Sequence, residues 1–202
     1  NSDNQRSIPN LIDGLKVSQR KILYCSFKRK LDKEIRVAQL AGYVSENGSY
    51  HHGEVSLHGT IINMAQNFCN SNNINLLVPE GQFGTRLKGG KDSAQPRYIH
   101  TYLTNMANIL FDKRDEPLLK NRMDDGLVIE PEFYVPILPT ILINGSEGIG
   151  TGWSNNIPKF NVLEIIDNIK NLINNKPINE MNPWYRVIKR FNKYVSKNRW
   201  FT

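Results

Sequence analysis

The chain has 202 residues, with 26 Lys and Arg against 19 Asp and Glu, a net charge of +7, and two cysteines. That length can bury a core without disulfide staples, and Cys25 and Cys69 are too few for a disulfide scaffold or a cysteine-rich zinc module, so a reducing compartment is the default expectation. No apolar run reaches the roughly 20 residues a membrane helix needs; the best stretch, Val135 to Ile143, is broken by Pro136 and Pro139, and the start at Asn1, without Met or signal peptide, reads as a piece of a longer chain.

Charge is distributed in blocks. Residues 1–31 carry seven basic side chains (Arg6, Lys16, Arg20, Lys21, Lys28, Arg29 and Lys30) and two acids. Residues 112–180 carry seven basic and eleven acidic side chains, and residues 186–199 six basic and none acidic. A basic front followed by an acidic segment implies a polyanion contact on one part of the surface, while the last basic run reads as a solvated face.

In chain order, Pro9 to Gly14 reads as a turn. From Lys16 a helix is expected, with Ile22, Leu23, Phe27 and Leu31 at helical spacing. A short helix at Val37 to Val44, a turn at Ser45 to Ser49 and a stronger helix opened by Gly53-Glu54 follow. The last has Leu57, Ile61, Ile62, Met64, Ala65 and Phe68 on its apolar face and ends at the Asn70–Asn73 run. Helix, turn, helix with a basic helix before it is the outline of a helix-turn-helix reader of DNA. Ile74 to Val78 reads as a strand, the Gly- and charge-rich stretch Glu80–Asp92 as a wing-like loop, and Tyr98 to Phe111 as a helix with Tyr102, Met106, Ile109 and Leu110 buried. Strands are expected at 127–129, 133–137 and 140–143, then a glycine-rich hairpin at 144–152. A helix is expected at Val162–Ile173, capped by Asn161 and stopped by Asn174-Asn175.

Several chemical motifs fail on spacing. Gly84-x4-Gly89 is followed by Gly90-Lys91-Asp92, so the P-loop lysine is displaced by one and its hydroxyl partner is missing. Gly148-Ile149-Gly150-Thr151-Gly152 lacks the spacing and the βαβ setting of a dinucleotide loop. His51, His52 and Glu54 do not form His-Glu-x-x-His. Cys25 and Cys69 read as small core residues. A phosphate-suited set remains: Arg97-Tyr98 after a loop with Arg86, Lys88 and Lys91, plus Arg6, Lys16, Arg20 and the His51-His52 pair. A tyrosine of pKa about 10 needs cationic help to act as a nucleophile, which an adjacent arginine supplies. On spacing alone the commoner reading of that dipeptide is an ordinary packing tyrosine whose hydroxyl is wet.

Long ordered motifs narrow the choice. Arg6-Ser-Ile-Pro-Asn-Leu-Ile-Asp-Gly-Leu-Lys16, Gln19-Arg20-Lys21, Tyr50-His51-His52-Gly53-Glu54, Asn75-Leu76-Leu77 and Gly81-Gln82-Phe83-Gly84-Thr85-Arg86 come first. Gly90-Lys91-Asp92-Ser93-Ala94, Pro96-Arg97-Tyr98-Ile99 and Ile143 through Ser154 follow in order. Together they resemble the breakage-reunion region of type II DNA topoisomerases, in wording closer to eukaryotic topoisomerase II than to gyrase, from about residue 1 to about 186. Val17-Ser18 departs from the family's usual Pro-Gly.

The resemblance implies an α+β fold: a CAP-like winged-helix (helix-turn-helix) DNA-cleavage domain at 1–115, the start of a β-rich tower domain at 116–186, and a non-matching basic tail at 187–202. It implies that Tyr98 attacks a DNA phosphodiester to give a transient 5′-phosphotyrosyl link, with Arg97 stabilising the transferring phosphate. Arg6, Lys16 and His52 would line that phosphate, joined as DNA contacts by Arg20, His51, Arg86, Lys88 and Lys91, and Ile149 would wedge between base pairs. It implies double-stranded DNA as partner, a homodimeric nuclear parent enzyme, and Mg2+ and ATP held by metal-binding and ATPase domains outside this sequence, with no metal ligand in it. The other reading is a non-catalytic DNA-binding winged-helix fragment.

Overall fold

The computed structural model describes residues 6–186. Three helices, α1 (Val17–Lys28), α2 (Val37–Asn47) and α3 (Glu54–Ala65), pack on one another. Helix α1 starts where the Gln19 side chain accepts the Lys16 backbone N–H at 2.8 Å, satisfying an amide ahead of the first turn. It buries Ile22, Leu23 and Cys25 and ends before Lys30, which adopts a left-handed φ of 51°. Leu31 is buried but lies beyond the helix. The turn expected at 45–49 is shorter in the structure, because α2 continues to Asn47, whose side-chain amide donates back to the Tyr43 carbonyl. Helix α3 buries Leu57, Ile61, Ile62, Met64 and Ala65. It stops at Ala65, before Phe68 and the asparagine run, because Gln66 turns extended and its side chain donates to the Phe83 and Gly90 carbonyls.

Strand β1 (Ile35–Arg36) lies between α1 and α2 and pairs antiparallel with β2 (His100–Thr101). Bridges Leu77↔Leu103 and Glu80↔His100 add a third, irregular strand near the one expected at Ile74–Val78. The order helix, strand, helix, helix, strand, loop, strand is that of a winged helix, with residues 81–99 as the wing. The helix expected over 98–111 is corrected to α4 (Asn105–Leu110). Backbone pairing commits 100–103 to the sheet, and Thr104 opens the helix by accepting the Ala107 N–H. Of the four side chains expected to be buried there, Leu110 is; Tyr102 is half-buried, and Met106 and Ile109 are exposed.

Beyond this, β3 (Asn121–Asp124) and β4 (Leu127–Pro131) form a hairpin. Its two turn residues, Asp125 and Gly126, both have positive φ, as a primed two-residue turn requires. Residues 133–137 form no strand, and the strand expected at 140–143 is instead helix α5 (Thr140–Asn144). Pro139 starts that helix: its carbonyl accepts the amides of Leu142 and Ile143. The glycine-rich hairpin is β5 (Ser146–Ile149) and β6 (Ser154–Ile157), slightly later than expected. Helix α6 (Val162–Ile173) has the expected bounds, with Asn161 accepting the Leu163 N–H at 2.9 Å.

Packing continues across the expected boundary at 115/116. Tyr134 stands edge-on to Phe111 and Phe27, at 5.4 and 6.2 Å between ring centroids, in the same core as Leu23 and Leu110. No described helix is long and apolar enough to cross a membrane. The tail expected at 187–202 lies outside the described residues.

Candidate nucleic-acid interface

Tyr98 sits on the wing with 67 % of its surface exposed, directly before the buried Ile99. Its backbone is fixed at several points. The Tyr98 N–H closes a turn onto the Gln95 carbonyl at 2.9 Å. The carbonyls of Pro96 and Ile99 accept the first amides of α2, from Ala38 at 3.1 Å and Val37 at 3.0 Å. These are amides that a helix start otherwise leaves without partners. Glu80 and His100 exchange both backbone bonds behind it. Gly81, with φ +115°, leaves room for Ile99, whose Cγ2 would lie 2.9 Å from an added Cβ. An exposed phenol is thus held on a rigid base, and the Arg97 guanidinium lies over its ring, 4.8 Å from the centroid.

The rest of the wing is a closed loop. Asp92 accepts both the backbone N–H and the hydroxyl of Thr85, at 2.8 and 2.7 Å, which lowers its carboxyl pKa. Gly90 packs against the Gln66 amide, and Gly84 against the Gly90 backbone. This bracing turns Arg86, Lys88 and Lys91 outward, all exposed. Among the described residues no carboxylate lies within ion-pair distance of these three or of Arg97.

At the α2–α3 corner a cavity of about 250 Å³ is lined by Arg6, Ser18, Lys21, His51, His52 and Asp124, among others. Arg6 and both histidines therefore converge on one space. Two charged residues of the lining, Asp124 and Lys21, are not among those the sequence singles out for the site. Asp124 Oδ2 lies 3.1 Å from His51 Nε2, and this bond lowers the Asp124 pKa. Lys21 is buried, with Nζ 2.7 Å from Glu130 Oε2. The pattern of alternation in β3 and β4 gives no hint that Asp124 and Glu130 face basic groups of α1 and its neighbours.

Ile149 is 81 % exposed at the end of β5. Its hairpin is seated at Gly148, where an added Cβ would collide with the Ser7 carbonyl, so glycine permits the approach. Lys16 Nζ donates to the Glu147 carbonyl at 2.8 Å, joining the start of α1 to the same hairpin. Burial lowers the Lys16 pKa, opposed by the Glu147 charge. Lys16 is thus half-buried and structural as well as basic.

Arg20 is a correction. The sequence suggests a DNA contact, but the side chain is buried at 3 % exposure and bound to Asp13 through Nε at 2.6 Å and Nη2 at 2.9 Å. Asp13 also accepts the amides of Leu15 and Tyr134. A guanidinium committed this way cannot reach solvent phosphate. At helical spacing an exposed and a buried arginine look alike, and Asp13 was the missed signal.

Among the described residues no group of three His, Cys, Asp or Glu side chains gathers to hold a metal ion.

A winged helix whose wing carries an exposed tyrosine under an arginine and three further exposed cations, on a chain that also presents an apolar-tipped hairpin, has the features of a nucleic-acid-handling module. The family model for DNA gyrase/topoisomerase IV matches residues 6–200. DNA topoisomerase 2-alpha of Homo sapiens is 56 % identical over 200 residues, covering 99 % of this chain and 13 % of that protein. DNA topoisomerase 2 of Drosophila melanogaster is 52 % identical over 200 residues, covering 99 % of this chain and 14 % of that protein. The crystal structure of the Plasmodium falciparum topoisomerase II DNA-binding, cleavage and re-ligation domain superposes with a TM-score of 0.92 at 55 % identity, covering 93 % of this chain and 26 % of that one. The chain belongs to the type II DNA topoisomerases and matches their breakage-reunion region. The similarity does not stop at 186 as expected but runs to residue 200. The chain spans about an eighth of the length of the human relative it matches.

Proposed function

We propose that this chain is the DNA-cleaving and religating module of a type II topoisomerase, with Tyr98 as nucleophile. The observation that carries the reading is a solvent-facing phenol on a braced wing, with a guanidinium over its ring, in a family of which one solved structure is described as a DNA-binding, cleavage and re-ligation domain. Tyr98 Oη attacks phosphorus and loses its proton. The bond from phosphorus to the 3′ oxygen breaks, and that oxygen leaves as a free 3′-hydroxyl after taking up a proton. The 5′ end stays esterified to Tyr98. Attack by the 3′-hydroxyl reverses each step, and because the ester conserves the phosphodiester's energy, religation needs no other source. Arg97 stabilises charge on the transferring phosphoryl group, a task for preorganised cations.

Arg6, His51 and His52 supply phosphate contacts at the corner, Lys16 one beside the β5–β6 hairpin, and Arg86, Lys88 and Lys91 those of the wing. Ile149 is the wedge: an apolar side chain that unstacks one base step bends the duplex toward more basic surface. The winged-helix and tower division at 115/116 belongs to this reading. Double-stranded DNA is the partner. The dimeric assembly, nuclear location and use of Mg2+ and ATP belong to the whole protein, with those ligands bound outside the described residues.

The test is a covalent trap in a complete type II topoisomerase in which this chain supplies the matched region. Denaturant quenching should leave DNA attached to a peptide containing Tyr98, and Tyr98→Phe should abolish the adduct with DNA binding retained. Adduct formation by Tyr98→Phe would overturn the assignment.

A further inference from the structure

Four basic side chains, Arg6, Lys21, His51 and His52, line the cavity at the α2–α3 corner, and Asp124 is the carboxylate among its lining residues. It comes from another part of the fold, 73 residues beyond His51. Its hairpin is anchored to α1, where Lys21 holds Glu130 at 2.7 Å and the Tyr24 hydroxyl donates to the Val128 carbonyl at 3.2 Å, and it is braced internally by the Asn121 amide, which donates to the Ile129 carbonyl at 2.7 Å. The two-residue turn leaves Asp124 paired with Leu127 at the tip. His51, by contrast, is largely exposed, and Asp124 is its hydrogen-bonding partner. His52 follows at once, its ring edge-on to Tyr50 at 5.6 Å, and the Tyr50 hydroxyl bonds Ser56 in the first turn of α3.

We propose that Asp124 is a positioning residue: it fixes His51, and with it the corner that presents His52 and Arg6 to a DNA phosphate. This rests on the cleavage reading above. Two effects of opposite sign follow. The carboxylate repels an incoming polyanion, so its removal strengthens or leaves unchanged DNA affinity. Its tether orders groups around the reacting phosphate, and misplacement by about 1 Å can cost up to roughly 10²-fold in rate. A purely structural role would lower both together.

The experiment compares Asp124→Ala, Asp124→Asn and His51→Ala, alone and combined, in the complete enzyme described above. It measures duplex affinity and single-turnover cleavage separately, with thermal unfolding as control. Asp124→Ala should slow cleavage about tenfold, within the range for misplaced groups, with DNA affinity unchanged or tighter. Asparagine, which can still bond His51, should restore most of the rate, and in a His51→Ala background Asp124→Ala should cost nothing further. Unchanged cleavage in Asp124→Ala, an equal loss without His51, no rescue by asparagine, or affinity falling with rate would each overturn the proposal. A Tyr98→Phe control separates the two readings. If it still cleaves, the cleavage assignment fails. If it is inactive while Asp124→Ala is fully active, only the role of Asp124 fails.

Discussion

Asp13 and Arg20 face each other inside the protein, Oδ2 to Nε at 2.6 Å, and the same carboxylate accepts the Tyr134 amide from more than a hundred residues away. The pair pins the turn before α1 to the segment that follows β4. Breaking a buried pair by removing one partner typically costs about 3–5 kcal/mol, because the other charge stays buried. Arg20→Ala should therefore lower stability by about that amount in urea unfolding. The salt dependence of DNA binding should keep its slope, since Arg20 contacts no phosphate.

The wing lysines and arginine should behave in the opposite way. Arg86, Lys88 and Lys91 are exposed and outside any ion pair among the described residues. Neutralising each to Gln should change stability by no more than about 0.5 kcal/mol. Each that meets a phosphate should reduce the slope of log K against log salt by about 0.9. Fluorescence anisotropy with a labelled duplex, titrated at several salt concentrations, reads that slope.

Ile149→Ala should leave the thermal midpoint nearly unchanged, because the side chain is mostly in water. It should reduce the bend of bound duplex, read by energy transfer between end-labelled DNA arms. Gly148→Ala should instead unseat the hairpin from Ser7, lowering both stability and bending.

Burial pushes the Cys25 thiol up to about 12. The folded-state value lies above the unfolded one, so the contribution to stability is complete below the unfolded thiol's pKa, about 8.5. It is lost as pH rises from there through about 12. Native protein at pH 8 should alkylate Cys25 far more slowly than unfolded protein, and Cys25→Ala should flatten the alkaline fall in stability.

What the sequence made legible were local signals with one physical meaning. Asn161 and Asn174 bracket α6 because a side-chain cap and a helix stop are encoded within a turn of the boundary. Gly53-Glu54 opens α3 with a local signal of another kind, a glycine N-cap of positive φ followed by an acid in the first turn. Reading failed where a distant partner decided. Residues 100–103 have helix-compatible composition, yet pairing with β1 and with 77–80 makes them strand. Thr140–Ile143 is rich in β-branched residues, yet among the described residues no strand pairs with it and Pro139 seeds a helix. At the site, Tyr98, Arg97 and the wing cations could be singled out from short motifs. Asp13, Asp124 and Glu130 could not, because an acid that locks a basic group 7, 73 or 109 residues away leaves no spacing to read.

The two amides of α2 that close on Pro96 and Ile99 tie Tyr98 to the helix-turn-helix itself. Any rotation of α2 as it settles against a duplex turns the phenol with it. Under the proposed function the nucleophile is thereby registered to the same frame as the helix-turn-helix, so the choice of bond to cut would be made by how those helices dock, before the tyrosine has moved on its own account.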